Sequence, residues 1–257
     1  MPLPLGFMII GVQKGGTTAL SHFLAQHPDI GMATTKEVHL FDAPDFDPAW
    51  SVAEINERYQ PYFLGMEQRL ILGEATPIYI AWQEIIPEIK RYNPQLKVIV
   101  LLRDPVERAL SQYAMEFVRN NEARPLWLAL LLEGARLLRD KSRAPLGARR
   151  CHSYRTRGEY VEQLEHLRRY FPDSQILVID NSELIGQHDQ TLVRVYDFLG
   201  VPVVDLPASE RVFSGDYDRA RYPMCRWLLG CWYRFANRRL KSLLSDMGYS
   251  PNWPWLR

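Results

Sequence analysis

The chain has 257 residues, of which 47% are hydrophobic, so it can bury a substantial core and is not expected to be disordered. Its 31 Lys and Arg balance 30 Asp and Glu, which argues against a protein that binds nucleic acid through its overall charge. The three cysteines form no metal-binding or disulfide pattern, and the first apolar run lacks the basic residues of a signal peptide and the length of a membrane span. We therefore expect a cytoplasmic protein without a metal ion, a membrane span or a nucleic-acid partner.

Four short runs rich in Ile, Val and Leu predict buried strands of a parallel sheet. They cover residues 7–12, 70–73, 98–102 and 176–179. Helical patterns lie between and after them, at residues 18–26, 82–92, 106–118, 160–171 and 191–199. Strands that alternate with helices in this way predict an α/β fold with a doubly wound parallel sheet, formed as one domain over residues 1–257.

The last part of the chain is predicted to be helical from Pro223 through Leu244. Four aromatic residues lie in this stretch: Trp227, Trp232, Tyr233 and Phe235. Aromatic residues at helical spacing are more often core residues than parts of a ligand site. We therefore predict that these four side chains pack inside the protein.

A glycine-rich turn follows the first predicted strand and precedes the first predicted helix. Gly15 and Gly16 let backbone N–H groups approach an anion, and Lys14 adds a positive charge. Thr17 and Thr18 begin the helix, where hydroxyl and N–H donors point toward a ligand. The strand, turn and helix together predict a phosphate-binding loop. The same residues also suit an ordinary turn in which Thr17 only caps the helix.

This turn differs from the Walker A motif of nucleoside triphosphate-binding proteins. That motif has its lysine after the last glycine, whereas Lys14 precedes both Gly15 and Gly16. Magnesium-dependent triphosphate chemistry is therefore not expected. The sequence also shows no carboxylate cluster of the kind that would hold Mg²⁺.

The segment from Lys36 to Phe41 brings a carboxylate and an imidazole together. Glu37 and His39 flank Val38, so in an extended segment their side chains project to the same side. Such a pair can remove the proton from a hydroxyl group, which is a poor nucleophile until a base is positioned beside it. The alternative interpretation is a solvated Lys36–Glu37 ion pair beside a half-buried His39.

The predicted strand at residues 98–102 is followed directly by Arg103, at the edge where parallel sheets bind ligands. Ser111 lies in the next predicted helix. A guanidinium group and a hydroxyl donor suit a phosphate monoester, whereas an ion pair between Arg103 and Asp104 is the alternative. Arg108 is predicted to be a solvated helix residue or to cover the sheet with its aliphatic stem.

These three segments, in this order, resemble those of the sulfotransferases that use 3′-phosphoadenosine 5′-phosphosulfate (PAPS). The resemblance is to the branch of the heparan sulfate sulfotransferases and their bacterial relatives, and it extends with gaps from about Phe7 to Leu244. It implies a P-loop-like doubly wound sheet, PAPS as co-substrate, and transfer of its sulfuryl group to an acceptor hydroxyl. The product nucleotide would be 3′-phosphoadenosine 5′-phosphate (PAP).

The resemblance also implies roles for the first two segments. Lys14 and the loop residues Gly15, Gly16, Thr17 and Thr18 would hold the 5′-phosphosulfate and stabilise the leaving nucleotide. Glu37 would be the general base in an in-line transfer. His39 would support that base or the acceptor.

Further arginines are assigned to the nucleotide by the same resemblance. Arg103 and Ser111 would hold the 3′-phosphate. Arg157 lies in a segment whose counterpart in the family approaches the nucleotide. Arg221, with Arg219 as the alternate, lies in a segment that resembles the late basic loop over the 3′-phosphate.

One segment departs from the family pattern. Residues 73–79 resemble the second acidic segment of the family, in which Glu74 and Tyr79 would line the cleft. Ala75 stands where the heparan sulfate enzymes carry a lysine. We therefore expect an acceptor that is less charged than a polyanionic glycan, namely a small molecule, sugar, lipid or natural product, including one tethered to a carrier.

Two other functions stay open at this point. A P-loop-type ATP-dependent kinase would bind ATP in the same loop and use Glu37 as its base, and it would require Mg²⁺. A catalytically inactive nucleotide-binding protein would keep the loop without the chemistry. The presence of Glu37 argues against the inactive protein, whereas Ala75 leaves room for it.

Overall fold

The computed structural model describes residues 4–209 and 221–256. The strands in these ranges are β1 (Phe7–Gly11), β2 (Ile30–Met32), β3 (Ile71–Ala75), β4 (Lys97–Leu102) and β5 (Ile176–Asp180). The α-helices are α1 (Thr17–Ala25), α2 (Val52–Tyr59), α3 (Ile86–Tyr92), α4 (Pro105–Val118), α5 (Leu126–Arg139), α6 (Ala148–Cys151), α7 (Tyr160–Arg168), α8 (Asn181–Gly186), α9 (His188–Leu199) and α10 (Pro223–Asp246). Short 3₁₀ turns lie at Gln60–Phe63, Tyr79–Ala81, Gln83–Ile85, Thr156–Gly158, Asp173–Gln175 and Pro254–Leu256.

The strands form one parallel sheet in the order β2-β3-β1-β4-β5. Phe7 of β1 lies opposite Gly73 of β3 on one side and Lys97 of β4 on the other. After β1 the chain crosses toward β2, and after β4 it crosses in the opposite direction toward β5. These opposite directions create a switch point between β1 and β4, beyond whose carboxyl ends such sheets bind ligands.

The described residues divide into two compact units. The first unit contains residues 4–102 and 166–209 and holds the whole sheet. The second unit contains residues 103–165 and 221–256, whose regular structure is helical. A single domain over residues 1–257 stays a prediction.

Both faces of the sheet are buried in the first unit. Phe7 and Ile9 belong to an apolar cluster that also contains side chains of α1, α9, β4 and β5. Met8 and Ile10 project to the opposite face and are fully buried as well. Coverage of both faces explains why these strands are continuous apolar runs without polar alternation.

The core of the second unit is shared by α4, α5 and α10. Its buried members from these helices are Ala109, Leu110, Tyr113, Leu126, Ala129, Leu130, Cys225, Leu229 and Tyr233. Glu133 of α5 is also fully buried, and its carboxylate accepts hydrogen bonds from the backbone N–H groups of Arg155 (2.8 Å) and Thr156 (2.9 Å). These bonds satisfy the backbone of the segment that follows α6, so a buried charge holds this loop in place.

Arg108 corrects one of the sequence predictions. Its side chain is fully buried in the second unit and does not lie in solvent. The guanidinium donates from Nη1 to Gln112 Oε1 (2.8 Å) and from Nη2 to the backbone carbonyl of Tyr154. Arg108 therefore ties α4 to the loop after α6, since burial of a charged group is tolerated only when such partners are present.

The predicted strands are confirmed within one or two residues, but β2 was missed. Three residues of β2 are too few to show a pattern against the loop around them. The helix predicted at residues 82–92 begins later, because Pro87 at the start of α3 favours the first helical turn and the preceding residues form 3₁₀ turns. The helix predicted at residues 160–171 ends at Arg168.

The aromatic residues of α10 are only partly in the core. Tyr233 is buried as predicted, whereas Trp227, Trp232 and Phe235 are exposed, so the prediction is wrong for these three. The reason is that α10 buries one side only: Trp227 and Phe235 lie away from that side, and Trp232 lies at its border, where its Nε1 donates to Glu159 Oε1 (2.9 Å). In the described part of the chain, no helix is both long enough and apolar enough to cross a membrane.

Replacement of Arg108 by Ala is expected to lower the free energy of unfolding by about 2–4 kcal/mol. The change leaves a cavity and removes the partners of Gln112 and of the Tyr154 carbonyl. Chemical denaturation measures the effect. Arg119→Ala is the matched control, since Arg119 is exposed at the end of the same helix, and its effect should stay within about 0.5 kcal/mol. Equal effects of the two changes would contradict the structural role of Arg108.

Candidate active site

The glycine-rich turn lies at the carboxyl end of β1, at the switch point of the sheet. The Val12 N–H donates to the carbonyl of Leu101 in β4 (2.8 Å), and the Gly15 N–H donates to the carbonyl of Val12 (2.8 Å). These bonds attach the turn to the sheet and fold it back on itself. A Cβ atom on Gly15 would lie 2.5 Å from the Leu101 carbonyl oxygen, so only glycine fits here.

The beginning of α1 is suited to an anion. Gly16 caps the helix with a left-handed backbone (φ 102°), and a Cβ atom there would clash with the side-chain amide of Asn181. Among the described residues, no side chain caps this helix, and its first turn contains no acidic residue. The first N–H groups of a helix lack partners within it, and the helix dipole favours negative charge there. Thr17 is buried in this turn, and Thr18 is exposed.

The segment after β2 brings Glu37 and His39 to the same edge of the sheet. The Glu37 N–H donates to the carbonyl of Ala75 at the end of β3 (3.0 Å), and the His39 N–H donates to Thr76 Oγ1 (3.4 Å). Because β3 pairs directly with β1, the carboxyl ends of both strands meet at one edge. The predicted base and the predicted phosphate-binding loop therefore lie at the same edge of the first unit.

Glu37 and His39 belong to a chain of charged side chains. Lys36 Nζ lies 2.5 Å from Glu37 Oε1, and His39 Nε2 lies 3.4 Å from Glu37 Oε2. On the other side of the imidazole, Nδ1 lies 2.9 Å from Oδ2 of Asp42, which is fully buried. A carboxylate on each ring nitrogen fixes the orientation of the imidazole. The arrangement can hold a carboxylate ready to accept a proton.

The charges around Glu37 keep it ionised. Burial by itself would raise the pKa of this carboxyl, but the hydrogen bond with His39 and the positive charge of Lys36 outweigh burial and lower the pKa to about 2. At neutral pH Glu37 is therefore a carboxylate. It can accept a proton without first having to lose one.

Three predicted catalytic residues have a left-handed backbone. The φ angles of Lys14, Glu37 and His39 are 69°, 60° and 58°. In the described ranges, five non-glycine residues have a positive φ, and three of these five are the predicted catalytic residues. This conformation costs about 1–2 kcal/mol for each residue and persists only where the surrounding structure enforces it, which is typical of functional sites.

Glu74 and Tyr79 lie behind this segment and do not line an open cleft, because both are fully buried. The Glu74 carboxyl accepts hydrogen bonds from the hydroxyls of Thr76 (2.6 Å) and Tyr59 (3.2 Å). The Phe41 N–H donates to the Tyr79 hydroxyl (3.3 Å). Burial raises the pKa of Glu74 to about 7, opposite to the shift of Glu37.

Sequence reasoning missed two residues of this region. Asp42 follows His39 by three residues. A second carboxylate this close to Glu37 and His39 in the sequence was the signal that could have added Asp42 to the predicted site. Asn181, the first residue of α8, lies beside the glycine-rich turn, because β5 ends at the same edge of the sheet. No local pattern connects residue 181 with the turn, so only the fold could reveal this contact.

Arg103 and Ser111 belong to the second unit. Arg103 is half-buried, and its backbone carbonyl accepts a hydrogen bond from the Tyr160 hydroxyl (2.8 Å). Ser111 is buried on α4. Asp104 Oδ1 accepts a hydrogen bond from the Val106 N–H (2.8 Å), so this carboxylate caps α4.

The other predicted nucleotide-binding arginines differ in exposure. Arg157 is buried in the second unit, and its Nη2 donates to the backbone carbonyls of Arg149 (2.5 Å) and Arg150 (2.9 Å). Burial and the charge of a neighbouring arginine lower the pKa of Arg157 to about 9. Arg221 is exposed before α10. Arg219 lies outside the described residues.

Comparisons with known proteins point to one family. The model of the sulfotransferase domain matches residues 5–214. Human heparan sulfate glucosamine 3-O-sulfotransferase 3B1 is 34% identical over 196 residues, which are 76% of this chain and 45% of that protein. Human heparan sulfate glucosamine 3-O-sulfotransferase 6 is 33% identical over 198 residues, 76% of this chain and 52% of that protein. This chain thus spans about half the length of the curated relatives it matches.

A solved structure matches over nearly the whole chain. The crystal structure of a sulfotransferase from Alicyclobacillus acidocaldarius is 26% identical to this chain and superimposes with a TM-score of 0.77. The match covers 96% of this chain and 100% of that one. The doubly wound parallel sheet flanked by helices is therefore confirmed as the fold.

Glu74→Gln is expected to change how stability depends on pH. The pKa of Glu74 is raised from 4.5 to about 7 in the folded state, so the contribution of this group to stability is fully present below pH 4.5 and is lost as pH rises through 7. The loss approaches roughly 3 kcal/mol above that range. Glutamine keeps the shape but does not ionise, so the stability of the variant relative to the natural protein should increase across this pH window.

Denaturation at several pH values measures this dependence. Glu57→Gln, an exposed position on α2, is the control and should leave the pH profile of the natural protein unchanged. Profiles for Glu74→Gln and the natural protein that run parallel from pH 4 to 8 would show that Glu74 does not take up a proton near neutrality.

Proposed function

This chain belongs to the sulfotransferase domain family, and we propose that it transfers a sulfuryl group from PAPS to the hydroxyl group of an acceptor. One observation carries the proposal: Glu37, oriented through His39 and Asp42, lies at the same edge of the sheet as the glycine-rich turn and the beginning of α1, which no side chain of the described residues caps. A base for an acceptor and a cradle for an anion are the two parts that this reaction needs.

The glycine-rich turn would bind the 5′-phosphosulfate of PAPS. The N–H groups at the beginning of α1 and the Lys14 ammonium supply donors and positive charge. Gly15 leaves no room for a side chain between the turn and β4. These groups are in place before reaction, so they stabilise the negative charge that develops on the bridging oxygen as PAP leaves.

Glu37 would accept the proton of the acceptor hydroxyl. The hydroxyl oxygen attacks sulfur, the bond between sulfur and the bridging oxygen breaks, the proton passes to the Glu37 carboxylate, and PAP leaves. A carboxylate with a pKa of about 2 is a weak base. An acceptor hydroxyl that takes the place of Lys36 at Oε1 would remove one of the groups that lower this pKa and strengthen the base.

His39 and Asp42 would maintain the position of the base. The fully buried Asp42 carboxylate holds one ring nitrogen of His39, and the other ring nitrogen faces Glu37. The interaction stabilises the negative charge of Glu37 before the proton arrives. It is weakened once Glu37 is neutral, which favours return of the proton to solvent after the acceptor leaves.

The proposed contacts to the 3′-phosphate and the nearby part of the nucleotide are unchanged: Arg103, Ser111, Arg157, Arg221 and Arg219. Their support is the resemblance of their segments to the family. The Arg157 guanidinium also has a structural task in the second unit, because it binds two backbone carbonyls after α6.

The acceptor is proposed to be less charged than heparan sulfate, on which the two human relatives act according to their names. Ala75, where those enzymes carry a lysine by the family pattern, is buried and offers no positive charge to a polyanion. A neutral sugar, a lipid or a natural product, free or tethered to a carrier, is the proposed class. We also propose a cytoplasmic location, because the three cysteines form no disulfide pattern and this fits a reducing compartment.

Calorimetric titration with PAP, ADP and ATP, each with and without Mg²⁺, tests the nucleotide. Micromolar binding of PAP that does not require the metal, together with much weaker binding of ADP, is expected if a 3′-phosphate site exists. ATP binding that depends on Mg²⁺ would instead identify a kinase. Absence of binding by all three nucleotides would contradict both activities.

Glu37→Gln is expected to lower turnover by about 10²–10⁴-fold and to leave the affinity for PAP nearly unchanged, because the base is lost and the loop is kept. Transfer of labelled sulfate from PAPS to a panel of neutral and anionic acceptors measures turnover. Glu67→Gln, at an exposed position in the same unit, is the control and should keep full activity. Normal turnover of the Glu37→Gln variant would refute the assignment of the base.

A further inference from the structure

One side of α10 is apolar but faces solvent. It is formed by residues that follow one another at helical spacing, and we call it the outer face: Met224, Trp227, Leu228, Cys231 and Phe235. Trp227 and Phe235 are 67% and 70% exposed. Large aromatic side chains rarely remain this exposed in groups on a soluble protein, and such patches mark interaction sites.

The outer face lies opposite the buried side of the helix. Cys225, Leu229 and Tyr233 pack into the core of the second unit, and at 100° per residue they lie roughly 100–180° around the helix from the middle of the outer face. The first three turns of α10 are therefore apolar on two sides. A helix that is apolar on more than one side is suited to more than one apolar environment, so the outer face is a candidate for a contact outside the second unit.

Positive charge borders the outer face. Arg234, Arg238 and Lys241 are exposed in the following turns of α10, and Asp246 is the only acidic residue of the helix. The described part of the second unit contains 18 Lys and Arg but only 10 Asp and Glu. The whole chain has nearly equal numbers of basic and acidic residues, but the described part of the second unit, which contains this helix, is strongly basic.

We propose that the outer face of α10 docks onto an anionic lipid surface. Tryptophan and phenylalanine side chains enter the boundary between lipid headgroups and acyl chains, and lysine and arginine beside them reach anionic headgroups. The basic side chains give the membrane an advantage over a second copy of this chain, because two such faces would bring like charges together. The helix would lie along the membrane surface.

Vesicle flotation with the full chain tests the proposal. The probes are vesicles of phosphatidylcholine alone and vesicles of phosphatidylcholine mixed with phosphatidylserine. Binding to the anionic vesicles is expected, with weaker binding to the neutral ones. Added salt should reduce binding to the anionic vesicles, because screening weakens the attraction of the basic residues to the headgroups.

Variants separate the two contributions to binding. Trp227→Ser combined with Phe235→Ser should weaken binding to the anionic vesicles by about tenfold or more, because the apolar contacts are lost. Arg234→Gln combined with Arg238→Gln should remove the preference for anionic vesicles and most of the salt dependence. Circular dichroism and PAP binding of each variant show whether the fold is retained, and these exposed positions should leave both unchanged.

The matched control removes apolar surface elsewhere. Leu64 and Ile185 are exposed in the first unit, and their combined replacement by Ser should leave vesicle binding unchanged. No binding of the natural protein to either vesicle, or equal loss of binding in the control, would overturn the proposal. Sedimentation that shows a dimer which Phe235→Ser dissociates, without vesicle binding, would overturn it in favour of a self-interface.

Discussion

The pairing of β1 with β3 on one side and β4 on the other is the constraint on which the first unit depends. Because all strands run parallel, the chain must leave each of them at the same edge. The glycine-rich turn follows β1, and the segment with Glu37 is hydrogen-bonded to the end of β3. This order of strands brings the two segments to the same edge of the sheet, although α1 and β2 lie between them in the sequence.

Burial alone does not decide the charge of the carboxyl groups in this region. Glu74 is fully buried and Glu37 is partly buried, yet the pKa of Glu37 falls to about 2 and that of Glu74 rises to about 7. The difference lies in their partners, since Glu37 has Lys36 and His39 beside it, whereas Glu74 accepts its hydrogen bonds from the uncharged hydroxyls of Thr76 and Tyr59. The same residue type is thus a carboxylate at neutral pH at position 37 and a group that binds a proton near neutral pH at position 74.

Local patterns predicted the strands and the turn, because each depends on neighbouring residues. Glu37 and His39 were expected on one side of an extended segment; their side chains do lie 3.4 Å apart, but the backbone at both residues is left-handed and not extended. The missed features depend on contacts between distant parts of the chain. The residues near Arg108 in the sequence do not indicate that its guanidinium donates a hydrogen bond to a backbone carbonyl 46 positions later. The exposed aromatic residues of α10 have the same helical spacing as buried ones, so periodicity could not tell which side of that helix the core would cover.

The left-handed backbone at Glu37 and His39 limits how these positions can vary during evolution or in a mutant library. Asparagine, aspartate and glycine adopt this conformation with little strain, whereas valine, isoleucine and threonine resist it. A β-branched replacement would therefore disturb the path of the chain as well as the chemistry. Sequence drift at these two positions is restricted by backbone shape, even in a descendant that no longer needs a base.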